Sequence, residues 1–250
     1  RIMSSLCHQL YLSHNPHALN LVLVHGWGMN SEVWQPLLPY LQDDFHVTVI
    51  DGFEEDITAY LPFAPEFAIW CGWSLGGLLV LDIANQYPER VQAVVTIACN
   101  PCFVQRDDWP CAMSLLDFQQ FQQGLTDNPS ATLKRFIALQ CLGSSSQKQD
   151  ARFLQQQLAA QPLPSLSILQ AGLAVLAQDY RQQFAQLPLP MLCLLGENDG
   201  LVPVAVGEAL SALNVNMQLN IIGDAAHVPF VSHPEKVAQQ LGQFVQERLG

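Results

Sequence analysis

Residues 67–77, FAIWCGWSLGG, constrain this chain more than any other stretch. An apolar run, Phe67 to Cys71, breaks into Gly72-Trp73-Ser74-Leu75-Gly76, and Leu78 to Tyr87 then has the spacing of a helix. The pattern predicts a strand, a sharp turn and a helix, in that order. Such a turn strains the backbone of its central residue, and glycines two positions to either side let the strand and helix pass closely. Ser74 is thereby pushed out above the sheet, at a helix N-terminus where unpaired N–H groups and the helix dipole favour developing negative charge. Those are the surroundings of a serine nucleophile and an oxyanion. G-x-S-x-G alone is a weak pattern, and a serine that merely caps a helix is the plainer alternative. The strand before it and the helix after it favour the nucleophile.

Strands alternate with helices around this turn, which implies a mostly parallel sheet covered on both faces, an α/β fold. Residues 6–12 are expected as an edge strand. Leu21 to Val24, Val47 to Ile50, Phe67 to Cys71, Val91 to Ala98, Pro190 to Leu195 and Met217 to Ile222 are the remaining strands, most of them continuous apolar runs of the kind buried on both faces. Ser31 with Val33, Trp34, Leu37, Leu38 and Leu41 has the pattern of a capped amphipathic helix; Ala205 to Leu213 and Pro234 to Leu249 are further helices. From about Asp107 to Tyr180 no strand is predicted. Four or five Gln- and Leu-rich helical stretches fill that region, punctuated by Pro110, Pro129, Gly143, Pro162 and Pro164. The expected organisation is a core from residues 1–106 and 183–250 with a helical lid inserted at 107–182.

A formal net charge of −12 argues against a nucleic-acid binder or a protein held on anionic lipid. No apolar run approaches the roughly 20 residues of a spanning helix, and no secretory leader is recognisable at the N-terminus, so a cytoplasmic location is expected. The seven cysteines are an odd number, and Cys71 and Cys193 sit inside apolar runs as small hydrophobes do in a reducing compartment. Cys99 and Cys102 form a C-x-x-C, but no second ligand pair or thioredoxin-like context accompanies it.

A serine needs a base to take its proton and a group to orient that base. His227 lies in a loop five residues past Ile222, whereas His233 adjoins Pro234 at a helix start and is read as a cap or packing residue. Asp199, in Gly196-Glu197-Asn198-Asp199-Gly200, follows the strand ending at Leu195; Glu197 is its competitor and is expected to be solvated. Catalytic groups in open α/β sheets collect at these carboxyl ends. The chain order Ser74, Asp199, His227 is the order this turn motif takes in hydrolases. Two glycines in His25-Gly26-Trp27-Gly28, directly after a central strand, point to backbone exposed to a ligand.

With these residues in place, the chain resembles the α/β-hydrolases from near its beginning to its end. That resemblance implies an oxyanion hole from the backbone N–H groups of Trp27 and Leu75, and no cofactor or metal. The segments LVHGWGMNSEVW, GWSLGGL, YPERVQAVVTIACNPCF, RFIALQ, QDAR, DGLVP and AAHVPFVSHP are more closely similar to the biotin-synthesis carboxylesterases. Members of that group remove the methyl ester from pimeloyl-acyl-carrier-protein methyl ester. One departure stands out. After Ile50-Asp51 the usual Pro-Gly-x-Gly-x-Ser turn and its full crossover helix are missing, and Gly52 to Pro65 is abbreviated.

The lid has its own charge signature. Between Asn128 and Gln161, Lys134, Arg135, Lys148 and Arg152 face a single acid, Asp150, so this window is +3 while the rest of the chain is −15. A basic lid on an acidic enzyme steers an acidic partner, although a solvated helix surface has the same composition. The resemblance makes that partner an acyl carrier protein, with the chain acting as a monomer. Trp27, Trp73, Leu75, Phe103 and Phe136 are candidates to line an acyl channel, although most aromatics in any chain are core. Rival readings are a small-molecule esterase or C–C bond hydrolase of the same fold, and a catalytically silent binding module, which an intact set of Ser74, Asp199 and His227 disfavours.

Overall fold

A computed structural model describes residues 5–250. Its strands are β1 (Cys7–Tyr11), β2 (Leu19–Val24), β3 (Phe45–Asp51), β4 (Ala68–Trp73), β5 (Val91–Ile97), β6 (Met191–Gly196) and β7 (Met217–Ile222). They form one sheet in the order β1-β3-β2-β4-β5-β6-β7, parallel throughout except for β1, which runs antiparallel to β3 at the edge. The apolar runs are buried because both faces are covered. Within β2, Val22 and Val24 point into one core and Leu21 and Leu23 into the other, the period of two that a strand imposes. After β3 the chain returns past β2 to β4, so the winding reverses between β2 and β4. The loops beginning at His25 and at Ser74 therefore leave neighbouring strand ends at the switch point, where such sheets bind ligands.

The core helices are α1 (Leu75–Gln86), and, after the lid, α7 (Val206–Leu213), α8 (Pro229–Ser232) and α9 (Pro234–Arg248). The intervening α2 (Leu115–Asp127), α3 (Pro129–Cys141), α4 (Gln147–Ala159), α5 (Leu166–Leu176) and α6 (Arg181–Gln186) all fall between β5 and β6. The last of these straddles the boundary expected at 182. No helix among the described residues is long and apolar enough to cross a membrane.

Two local expectations differ from the structure. The amphipathic helix after Ser31 is instead a pair of 3₁₀ turns, Ser31–Trp34 and Leu38–Tyr40, capped by Asn30 rather than Ser31. Pro36 and Pro39 each lack the N–H that an α-helix needs, yet Val33, Trp34, Leu37 and Leu41 are still fully buried. Helix α1 starts three residues earlier than its apolar spacing suggests, since close packing overrides the low helix propensity of Gly76 and Gly77. The abbreviated segment after β3 carries only the 3₁₀ turns Ile57–Ala59 and Leu61–Phe63 in place of a crossover helix.

Candidate active site

Ser74 joins β4 to α1 with φ 53° and ψ −116°, a conformation an L-residue holds only where its surroundings enforce it. The enforcement comes from two glycines. A Cβ on Gly72 would sit 2.2 Å from the Gly76 carbonyl oxygen, and one on Gly76 would sit 2.3 Å from that of Val24. Both obstacles are backbone, so no side chain fits at either position. The Ser74 N–H donates to the Ile97 carbonyl at 2.9 Å, which ties the turn to β5. As the first residue of α1, Leu75 has an N–H that no carbonyl of its own helix can accept.

Asp199 and His227 arrive from the loops after β6 and β7. His227 Nδ1 lies 2.7 Å from Asp199 Oδ2, and both side chains are buried. The other carboxylate oxygen accepts the N–H groups of Leu201 and Val202 at 2.8 and 2.9 Å. A carboxylate held by two amides accepts rather than donates, so the imidazole carries its proton on Nδ1 and Nε2 is left as an acceptor. Nε2 is buried with no hydrogen-bond partner among the described residues. The backbone of His227 is also fixed: its N–H donates to the Gln140 carbonyl at 2.9 Å, and its own carbonyl accepts the Trp73 indole N–H at 2.9 Å. Glu197 does not compete for the ring; its carboxylate accepts the Asp224 N–H. His233 precedes α9 and pairs through Nδ1 with the Ser232 hydroxyl.

Between lid and core lies a cavity of about 170 Å³, walled in part by Trp27, Leu75, Leu79, Ile168, Leu169 and Gly172. The Trp27 indole donates to the Leu169 carbonyl at 2.8 Å, and Phe136 stands edge-on to it at 5.0 Å. Of the candidate channel residues, Trp27 and Leu75 are on this wall and Trp73, Phe103 and Phe136 are not. Trp73 points into the opposite core against Phe230 and braces His227. Phe103 packs on Phe118, and Phe136 backs Trp27 from behind, with Phe121 on its other side. The sequence offered no sign of Gly172 or Leu169, because their roles come from where α5 lands. It likewise missed Gln140, which is fully buried with both side-chain amide atoms unpartnered among the described residues.

His25 begins the loop that carries Trp27. Its Nδ1 donates to the Gly26 carbonyl at 2.8 Å while Nε2 accepts the Gly52 N–H at 3.1 Å, which is the neutral ring. Burial pushes its pKa below the ordinary 6.5, and Asp51 at 3.6 Å only partly opposes this. Burial also raises the Cys99 and Cys102 thiols, which disfavours the thiolate that redox or metal chemistry requires.

The four basic lid residues are all exposed but do not share one face. Lys134 borders a groove between α3 and α4 with Gln155 and Leu158. Arg135 lies over the Phe121 ring at 5.7 Å. Lys148 and Arg152, one turn apart on α4, border a separate depression beside Ser145. Asp150 is buried, and desolvation raises its pKa despite hydrogen bonding by Ser146 and Ser144.

A serine at a strained strand-to-helix turn, a buried Asp–His pair and two loops at the switch point of a parallel sheet are the frame of a serine hydrolase. The chain belongs to the α/β-hydrolase family, whose profile matches residues 21–240. Within that family it is 42% identical over 241 residues to the pimeloyl-[acyl-carrier protein] methyl ester esterase of Pectobacterium carotovorum, covering 91% of this chain and 94% of that protein. The esterase of the same name from Salmonella enteritidis is 40% identical over 253 residues, with 96% and 97% covered. Among solved structures, a bromoperoxidase from Bacillus anthracis superposes with a TM-score of 0.84 at 18% identity, over 96% of this chain and 95% of that one. An esterase from Exiguobacterium antarcticum gives 0.82 at 17%, with 96% and 95% covered. At such identities these two structures speak for the fold alone.

Proposed function

We propose that this chain is a serine carboxylesterase that hydrolyses the methyl ester of pimeloyl-acyl-carrier protein, releasing pimeloyl-acyl-carrier protein and methanol for biotin synthesis. The observation that carries the reading is the buried Asp199–His227 pair with its bare Nε2, in a chain that matches esterases of that name over nearly their whole length. Ser74 Oγ attacks the ester carbonyl while His227 Nε2 takes its proton. The tetrahedral oxyanion sits against the N–H groups of Trp27 and Leu75, at the positive end of α1. Asp199 holds the tautomer and balances the imidazolium. Collapse expels methanol with the proton returned by His227, and water, activated by the same nitrogen, frees the acid. Trp27 and Leu75 also wall the cavity that takes the acyl chain, with Phe136 backing Trp27. Lys134, Arg135, Lys148 and Arg152 receive the acidic carrier.

The test is to compare the methyl ester on the carrier protein with the same ester on a small thiol such as pantetheine. A much lower KM for the carrier-bound form is expected. Equal kcat/KM on the two would return the function to a small-molecule esterase.

A further inference from the structure

The Asp199–His227 contact depends on two loops that have no regular structure of their own, and a misplacement of about 1 Å between catalytic groups costs on the order of 100-fold in rate. The lid segment 140–146, the end of α3 and the turn after it, holds both loops. The Gln140 carbonyl accepts the His227 N–H at 2.9 Å, and the Gly143 carbonyl accepts the Asn198 side-chain amide at 3.0 Å, next to Asp199. Gly143 makes this approach at φ +102°, where a Cβ would sit 2.9 Å from the Asn198 carbonyl oxygen. At Ser145 the backbone N–H donates to Asp224 Oδ1 at 3.2 Å and the hydroxyl donates to Asp224 Oδ2. Asp224 is three residues before His227. Its own N–H reaches Glu197 at 2.9 Å, and the Asn198 N–H reaches the neighbouring Ala225 carbonyl at 2.9 Å. Lid turn, aspartate loop and histidine loop thus meet at Asp224, whose carboxylate accepts from Ser145 and whose N–H donates to Glu197.

We propose that Asp224 is a positioning residue for His227, a latch that fixes the histidine loop through both hydrogen bonds from Ser145 of the lid; this rests on the triad reading above. Asp224 touches neither the imidazole nor any reacting atom in this arrangement; it acts through the loop. The Ser145 hydrogen bonds, followed by the charges of His233 and Lys236, hold its carboxyl below the usual carboxylate range, so the latch is charged at neutral pH. The plainer alternative is that Asp224 only supplies a left-handed turn, since its φ is 59° and aspartate tolerates that region better than most residues.

Three variants separate the two. Asp224→Gly keeps the left-handed turn and removes the latch, Asp224→Asn keeps the turn and an oxygen acceptor, and Ser145→Ala removes the hydroxyl donor from the lid side. On a short uncharged ester, Asp224→Gly and Ser145→Ala should each lower kcat by about 10-fold with KM changed less than about 2-fold, while Asp224→Asn stays within about 3-fold of the parent. The double variant Ser145→Ala/Asp224→Gly should be no slower than the worse single one, because both break the same contact. Parental kcat in Asp224→Gly, or losses that multiply in the double variant, would overturn the latch. If Asp224→Gly does not fold, Ser145→Ala decides alone by whether its kcat falls. Ser74→Ala, assayed alongside, tests the triad separately: turnover there would remove the triad reading, whatever the latch variants do.

Discussion

Gly172→Ala tests how tightly the lid is fitted to the loop that carries Trp27. Gly172 lies in the interior of α5, and a Cβ there would sit 2.6 Å from Trp27 Cδ1, 3.2 Å from Trp27 Nε1 and 3.3 Å from Leu75 Cδ2. Ordinary contact begins near 3.4 Å, so ring and helix must separate by about 1 Å. The indole has little room to yield, because its N–H is held by the Leu169 carbonyl one turn earlier in the same helix and Phe136 stands against it. Overpacking of this kind costs about 1–3 kcal/mol, and replacing a mid-helix glycine returns about 0.5–1 kcal/mol. The net is a loss of roughly 0–2.5 kcal/mol, a fall in Tm of at most about 10 °C for a chain of this size. On the proposed reading activity should suffer more than stability, since the residues displaced are the two whose N–H groups would face the oxyanion. A donor moved by a sizeable fraction of 1 Å lowers kcat by about 10- to 100-fold. The assay is kcat on a short chromogenic ester beside a thermal melt. A kcat within about 2-fold of the parent, in a variant whose Tm has fallen, would show that the Trp27 and Leu75 amides do not set the rate.

The same substitution at Gly242 should have the opposite sign: a Cβ there meets nothing within 4 Å in α9, so Gly242→Ala should raise stability by about 0.5–1 kcal/mol, read by denaturant titration. Asp199→Asn should lower kcat by about 10⁴-fold, since its amide would no longer hold Nδ1–H, and His227→Ala should cost at least as much; stopped-time ester hydrolysis checks both. Folded His25 titrates below its unfolded value of 6.5, so the unfolded chain binds the proton first as pH falls. Its stabilisation is complete above pH 6.5 and is lost as pH drops through that value towards the folded pKa, so Tm should fall more steeply below it in the parent than in His25→Gln. Replacing Arg135, Lys148 and Arg152 together by Ala should raise KM for the carrier-bound ester several-fold and flatten its salt dependence, with short-ester kinetics unchanged, because rim charges act mainly through encounter over about 8 Å.

The central strands were legible because a parallel sheet covered on both faces leaves its strands no polar side, and β2, β4, β5 and β6 are apolar apart from Asn20, Gln92 and Thr96. The turn at Ser74 was legible for a related reason, since its flanking glycines are demanded by backbone contacts that nothing else satisfies. Asp199 and His227 were named from their places beyond strand ends and their order in the chain, and the structure brings the two side chains to 2.7 Å. Periodicity failed after β2: two 3₁₀ turns bury Val33, Trp34, Leu37 and Leu41 as completely as an α-helix would, so only Pro36 and Pro39 carried the distinction. The supports of the site were hidden because they join distant residues. Trp27 reaches Leu169 across 142 positions and Trp73 reaches His227 across 154, and no local pattern records such pairings.

On the proposed reading, the placement of the lid's charges bears on how a substrate enters. Lys148 and Arg152 lie within the first two turns of α4, directly after the 140–146 segment that fastens the lid to the loops of Asp199 and His227. A carrier drawn to those charges therefore rests over the part of the lid that must stay still for the triad to keep its geometry. The cavity roof is elsewhere, at Pro162, Pro164 and the face of α5, and its link to the oxyanion loop includes the single Trp27–Leu169 hydrogen bond. One net hydrogen bond contributes only about 0.5–1.5 kcal/mol, little enough to be given up and remade in each turnover. Docking at the fixed end leaves the α5 end free to open for the acyl chain, so partner recognition and substrate entry need not compete for the same contacts.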